Sequence, residues 1–388
     1  MRSKIKLLSI GLPLVLFAVI MMMNSFRTPM WTDEYVFYRL SSGLPNYSST
    51  IDWIYNDRPD LLNNSIAPFE EGRKAYSAIY DNKVFVHNPL APILVYPVVK
   101  TLNLMAENNV IPTIESEPGY PKLAKDLTQD EINAVTKNMQ AETITKILRC
   151  ISIALFILSM VLAYKILSKK VGDSAVFLTV PLAASLQLLT GANLFYWDVF
   201  MLFFFVLSLY CLETGHRNWA FLFACCVVNT KMFIGMLFLI PLIVKDRRMF
   251  FAAFSLIPFY IILAYSSGSI FYPFVHYFSG NGMATHNFVY TLYGVGGYLL
   301  LFISLGIPLF LAMTVPLFWR IKKYPEYIAL WICGMAYAWA SGLAITHLSC
   351  LLYLGALIFP IVVYEFKLYE KLSGWLDKLS GKKIQNNS

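Results

Sequence analysis

Two acids stand side by side in MWTDEYVFYRL, residues 30 to 40, directly after an apolar run, LLSIGLPLVLFAVIMMM, that is long enough to enter a bilayer. At a membrane surface, partial desolvation and mutual repulsion are expected to raise the proton affinity of one carboxylate of such a pair, Asp33 and Glu34, which would make a usable general base. The plain alternative is a pair of solvated charges ending a helix. Asp198, in GANLFYWDVFMLFFF, lies inside an apolar stretch. Inserting an Asp at mid-membrane costs about 2.5–3.5 kcal/mol, less near the interface, which favours a functional reason over a hydrated helix end. Lys231 sits between two half-length apolar segments, where snorkelling is its simple explanation. Arg149 opens an apolar segment in KILRCISI, as a ligand or as a flanking charge at a helix end.

The elements that must position these groups follow from composition. Of 388 residues, 57% are hydrophobic and 14% charged, too apolar for a soluble globule. A helix rising about 1.5 Å per residue needs about 20 apolar residues to cross a layer ~30 Å thick. About ten segments qualify by that standard. They cover 7–23, 147–167, 174–190, 193–212, 219–229, 232–244, 249–266, 290–316, 327–344 and 348–365. The expected fold class is an all-α polytopic membrane protein.

Charge bias orients it. With a break at NTK, 229–231, the basic clusters Arg2/Lys4/Lys6, Lys165/Lys169/Lys170, Arg217, Lys245/Arg247/Arg248 and Arg320/Lys322/Lys323 share one side with the Lys-rich tail. That side is expected to be cytoplasmic, with both termini. The opposite loops, TGAN, GSIFYPFVHYFSGNGMATHN and TH, hold no Lys or Arg. The net charge of +8 then reflects topology and calls for no nucleic acid or acidic partner.

The resulting division is a first anchor over 1–23, retained because MMMNSFRT offers no small-residue cleavage pattern, and an extracytoplasmic loop over 24–146. The remaining spans follow over 147–366, then a basic cytoplasmic tail over 367–388. Thr128 and Glu131 have capping-box spacing, so a helix is expected to lead into the second span. PLAPILVYPVVKTLNLMA, 89–106, carries three prolines and is expected as an interfacial helix. All six cysteines lie in or beside predicted spans, leaving the outer loop without a disulfide framework, which sits more easily with a prokaryotic envelope. There is no CxxC or HExxH pattern, no phosphate-cradling glycine loop and no internal repeat.

In order along the chain, WTDEYVFYRLSSGL, VHNPLAPILVY, ILRCISIALF, ANLFYWDVFMLFFFVLSLY and VVNTKMFIGMLFLIPL resemble the GT-C glycosyltransferases, nearest to the protein O-mannosyltransferase and aminoarabinose-transferase branch. The resemblance covers roughly residues 1 to 250, beyond which only hydropathy is shared. The family's common H/K-P-P-L stands here as His87-Asn88-Pro89-Leu90, and an insertion separates it from Arg149, which leaves the acceptor open.

The resemblance implies transfer of a sugar from a polyprenyl phosphate carrier to an acceptor hydroxyl at the non-cytoplasmic face, with inversion. Asp33 would then be the base and Glu34 would orient sugar or acceptor. Arg149 and Lys231 would neutralise the donor phosphate, and Asp198 would hold the sugar or a basic neighbour. His87 has a substrate role or a structural one. Tyr35, with Trp31, Tyr38 and Trp53, offers an apolar face to a pyranose or belongs to an interfacial aromatic belt. These residues name no cofactor, and a requirement for a divalent metal stays open. The acceptor is a lipid, a glycan or a protein. A lipid-linked sugar flippase or secondary transporter is the rival class, expected to carry ionisable groups near the midplane and related halves. A non-catalytic scaffold leaves the outer charges without purpose, and an oligosaccharyl transferase would be expected to have a large soluble C-terminal domain.

This topology has a direct test. Cysteines introduced over 24–146 should react with an impermeant thiol reagent in intact cells, and cysteines at 245–248 should not. Labelling of the second set alone would overturn the orientation.

Overall fold

In the first helix, α1 (Arg2–Arg27), Ile10, Leu14, Phe17, Met21 and Ser25 recur every three or four residues and are buried, whereas Leu12, Val15, Leu16 and Val19 between them are exposed. A helix with one packed stripe and an apolar outer face suits lipid rather than water. The computed structural model describes residues 2–27, 32–42, 90–111, 129–184, 197–261, 318, 322–340, 349–368 and 370–371. Among these the regular structure is helical throughout, with no strand. Ile10–Arg27, Leu90–Glu107 and Glu142–Ala183 are each long and apolar enough to cross a membrane. The chain is a helical membrane protein.

Two short helices precede the long one: α2 (Thr32–Ser42) and α3 (Leu90–Glu107). The segment expected as an interfacial helix is helical, as α3, and it tolerates its prolines. Pro92 falls in the first turn, where a missing N–H breaks no helical bond, while Pro97 lies inside. Its length makes it span-sized as well.

Then α4 (Gln129–Val171) starts one residue after Thr128, as the capping-box spacing requires, and runs unbroken through the expected second span. Gly172, at φ 57°, ends it in the left-handed conformation that glycine tolerates. A 3-10 turn over Gly172–Leu178 and α5 (Thr179–Ala184) stand where a regular span over 174–190 is expected; the rest of that range lies outside the described residues. Another 3-10 stretch, Arg247–Leu256, opens the expected 249–266 span. The expected 290–316 span lies outside the described residues.

The central bundle is α6 (Trp197–Glu213), α7 (Arg217–Thr230) and α8 (Met232–Lys245), joined by α9 (Pro325–Ala340) and α10 (Ser349–Glu365). Between α6 and α7, Gly215 at φ 84° allows its own N–H to reach Leu212 O and that of His216 to reach Cys211 O, the pairing that closes a helix end. The break between α7 and α8 is Lys231, extended at φ −144° and ψ 93°. The two half-length apolar segments are therefore two helices, as the charge bias demands.

At the Glu213 end of the bundle, four elements meet in charge. Lys170 Nζ lies 2.8 Å from Glu326 Oε1 and 2.9 Å from Glu213 Oε1, and Lys245 Nζ lies 3.0 Å from that Glu213 oxygen. Burial pushes the Glu326 carboxyl upward, but the hydrogen bond and field of Lys170 prevail and leave it below its ordinary range. Lys245 is likewise disfavoured by burial and nonetheless raised, by Glu213 and Glu326. Asp198 and Glu213 mark opposite ends of α6, about 22 Å apart at the helical rise.

Where α7 and α8 fold back from Lys231, they touch at Gly235. A Cβ there would lie 2.5 Å from Val227 O and 2.7 Å from Val228 Cα, both backbone atoms that cannot swing aside. Gly235→Ala should destabilise the protein by about 1–3 kcal/mol through overpacking, read as a lower midpoint of thermal unfolding in detergent. An unchanged midpoint would show that the two helices are free to separate.

Candidate active site

The site is built from two buried ion pairs at the Asp198 end of the bundle. Glu34, near the start of α2, and Arg149, well inside α4, are both 0% exposed. Arg149 Nε donates to Glu34 Oε1 at 2.8 Å and Nη2 donates to Oε2 at 2.5 Å, a bidentate fork, while Nη1 donates to Ser25 O at 2.6 Å. One guanidinium thus ties α1, α2 and α4 together. Arg149 is not a flanking charge at a helix end. Thr145 and Ser152, a turn before and after it, are also buried, and their hydroxyls have no hydrogen-bond partner among the described residues. On the same helix, Lys146 and Glu142 pair at 3.0 Å, almost without exposure.

The second pair gathers around the helix break. Lys231 Nζ donates to Asp198 Oδ2 at 2.8 Å and Oδ1 at 3.0 Å, and to Tyr337 Oη at 2.9 Å. The Tyr337 hydroxyl in turn donates to Asp198 Oδ1. Asp198 occupies the first turn of α6, where the helix dipole favours a negative charge. Tyr337 comes from α9 and is fixed by an edge-to-face contact with Phe238 of α8, 6.1 Å between ring centroids. Of the four charged groups in these two pairs, Lys231 alone keeps measurable exposure, 16% of its side chain. It is anchored rather than snorkelling.

An aromatic contact joins the clusters. Phe37, three residues after Glu34, packs edge-on against Trp197 at 4.6 Å and stacks on Phe200 at 5.8 Å; Trp197 directly precedes Asp198. Farther along α2, the Tyr38 hydroxyl donates to Asn103 Oδ1 of α3 at 2.6 Å. These contacts hold α2 between α3, α4 and α6.

Of the residues marked by sequence, the structure brings Glu34 to Arg149 and Asp198 to Lys231. Asp33 and Tyr35 flank Glu34 on α2, with side chains outside the described set, and His87 lies outside the described residues altogether. Tyr337 is the residue that sequence reasoning missed. It is one of 24 tyrosines and sits in an apolar stretch, WICGMAYAWA, with no charge or motif to mark it. Among the described residues, no three His, Cys, Asp or Glu side chains gather as metal ligands.

Removing one partner of a buried pair strands the other. Arg149→Met alone should destabilise the protein by about 3–5 kcal/mol, and combining it with Glu34→Leu should recover much of that loss. A double-mutant cycle of unfolding in detergent measures both. Additive losses would mean that the two residues do not act as a pair.

Compared with protein-family models, curated proteins and solved structures, the chain gives no significant match.

Proposed function

We propose that this protein is a membrane glycosyltransferase of the GT-C type, moving a sugar from a polyprenyl-phosphate-linked donor to an acceptor hydroxyl on the non-cytoplasmic face, with inversion at the anomeric carbon. The observation that carries this reading is the Lys231 cluster, a partly exposed ammonium held by Asp198 and Tyr337 at a helix break in an apolar bundle. It is joined through Trp197 and Phe37 to the helix that bears the paired acids. A lipid carrier brings its phosphate to a membrane-embedded site from the side. A fixed cation in dry surroundings can stabilise the negative charge that the phosphate keeps on leaving.

In this mechanism the acceptor oxygen attacks the anomeric carbon and the carbon–oxygen bond to phosphate breaks. The phosphate departs with the bonding electrons, and Asp33 takes the acceptor proton. Glu34 has both carboxylate oxygens on Arg149, so its part is to fix α2, and with it Asp33, onto α4. Arg149 thereby becomes a positioning residue, and phosphate recognition falls to Lys231. Asp198 holds Lys231 in place before the donor arrives. Tyr35 and His87 keep their proposed places beside the sugar. The acceptor is a lipid, glycan or protein, and the described residues assign no cofactor.

A lipid-linked sugar flippase or secondary transporter is a second reading, favoured by the burial of two ion pairs among apolar helices. Incubation of the purified protein with a panel of polyprenyl phosphate sugars, followed by mass spectrometry, separates the two, because only a transferase cleaves the donor. On the transferase reading, Asp33→Asn should lower single-turnover transfer by about 100- to 10,000-fold while donor binding persists. Lys231→Ala should instead weaken donor binding. Transfer at the normal rate in Asp33→Asn would remove it as the base.

A further inference from the structure

Lys231 is not a spare cation. Asp198 already matches its charge, with both carboxylate oxygens within 3.0 Å of Nζ, and Tyr337 supplies a third acceptor. An ammonium has three hydrogens to donate, so these contacts engage it fully. A phosphodiester docking here would add a negative charge to a neutral, mostly buried pair, and an uncompensated charge in such surroundings is strongly disfavoured.

Building on the transferase reading, we propose that the donor phosphate binds by replacing Asp198 as the acceptor of the Lys231 and Tyr337 hydrogens, and that Asp198 takes up one proton from solution as it is displaced. The site constrains the exchange in just this way. Asp198 is 0% exposed in the first turn of α6, so a carboxylate displaced from Lys231 would be a buried anion, which protonation neutralises. Once protonated, its new O–H can donate to Tyr337 Oη, and the tyrosine can turn its own hydrogen from Asp198 Oδ1 to a phosphate oxygen. Lys231 remains an ammonium and exchanges a carboxylate for a phosphate. One proton is gained and none is lost, so the cluster with its bound monoanion stays neutral.

The groups that face Asp198 among the described residues fit this exchange. Lys231 comes from the α7–α8 junction and Tyr337 from α9, and Cys350 of α10 lies within electrostatic reach of both Asp198 and Lys231. The Arg149–Glu34 pair on α4 and α2 stands beyond the Phe37–Trp197 contact and is internally neutral. None of these supplies a second positive charge. Tyr337 is thereby assigned as a phosphate-contacting residue.

The test is calorimetric. Farnesyl methyl phosphate, a lipid phosphodiester carrying a single permanent negative charge, is titrated into the full-length protein in buffers of equal pH and different ionisation heat, with farnesol as the uncharged control. Uptake of about one proton per diester bound is expected, with none for farnesol. Asp198→Asn should bind the diester with no proton uptake. Tyr337→Phe should keep the uptake and bind the diester about tenfold more weakly, having lost a charge-assisted hydrogen bond. Should Asp198→Asn fail to fold, the buffer dependence of the unaltered protein decides. Diester binding with no buffer-dependent heat overturns the exchange and leaves the transferase reading standing. Failure to bind the diester better than farnesol removes the phosphate site, and the exchange and that reading's central support fall together.

Discussion

An ionised side chain inside an apolar bundle must have a partner of opposite charge, and this constraint organises the structure. Desolvating a lone carboxylate or guanidinium costs several kcal/mol even after relaxation. Arg149 therefore draws α1, α2 and α4 to one point, through Ser25 O and both oxygens of Glu34. Lys231 does the same for α6, α9 and the α7–α8 junction through Asp198 and Tyr337. At the other end of the bundle, Lys170 and Lys245 close against Glu213 and Glu326. Apolar packing alone would let these helices rotate or slide against one another, since lipid tails compete evenly with side chains for apolar surface. The pairs fix their register.

The pairs are not equivalent. Glu34 and Arg149 are sealed, with their hydrogen-bonding capacity turned inward, and such a pair works as a fastening. The Lys231 cluster is partly open and sits where a helix is interrupted; irregular backbone inside a membrane protein is tolerated where protein surrounds it or water reaches it. Rigidity beside a partly open cation is what the proposed transfer would need, because small misplacements weaken electrostatic stabilisation sharply.

How much of this was legible in the sequence depended on the range of the signal. Local signals were clear: the Thr128–Glu131 spacing precedes a helix that begins at Gln129, and the break at NTK falls at Lys231. Backbone geometry inside apolar segments was harder. Hydropathy makes 174–190 one regular span, yet a 3-10 turn, Gly172–Leu178, occupies its start and α5 begins only at Thr179, because hydropathy measures apolarity and is blind to backbone geometry. Charges inside apolar runs marked Asp198, Lys231 and Arg149, since such residues are expensive and stand out. Which charge meets which could not be read, for Glu34 and Arg149 are 115 residues apart. Tyr337 carries no charge and belongs to a residue type common in membrane helices, so it emerges only from three-dimensional contact.

The wide sequence spacing of these contacts sets a timetable for biosynthesis. A chain leaving the ribosome can join Asp198 to Lys231 early, because 33 residues separate them, whereas Tyr337 follows Lys231 by 106. Lys245 likewise precedes Glu326 by 81 residues. Until α9 has been made and inserted, then, the bundle holds an incomplete Lys231 cluster at one end and a Lys245 lacking one of its carboxylates at the other. A single late helix closes both. A chain halted before α9 would lack Tyr337 at one end of the bundle and Glu326 at the other, so its two charge clusters would be incomplete together.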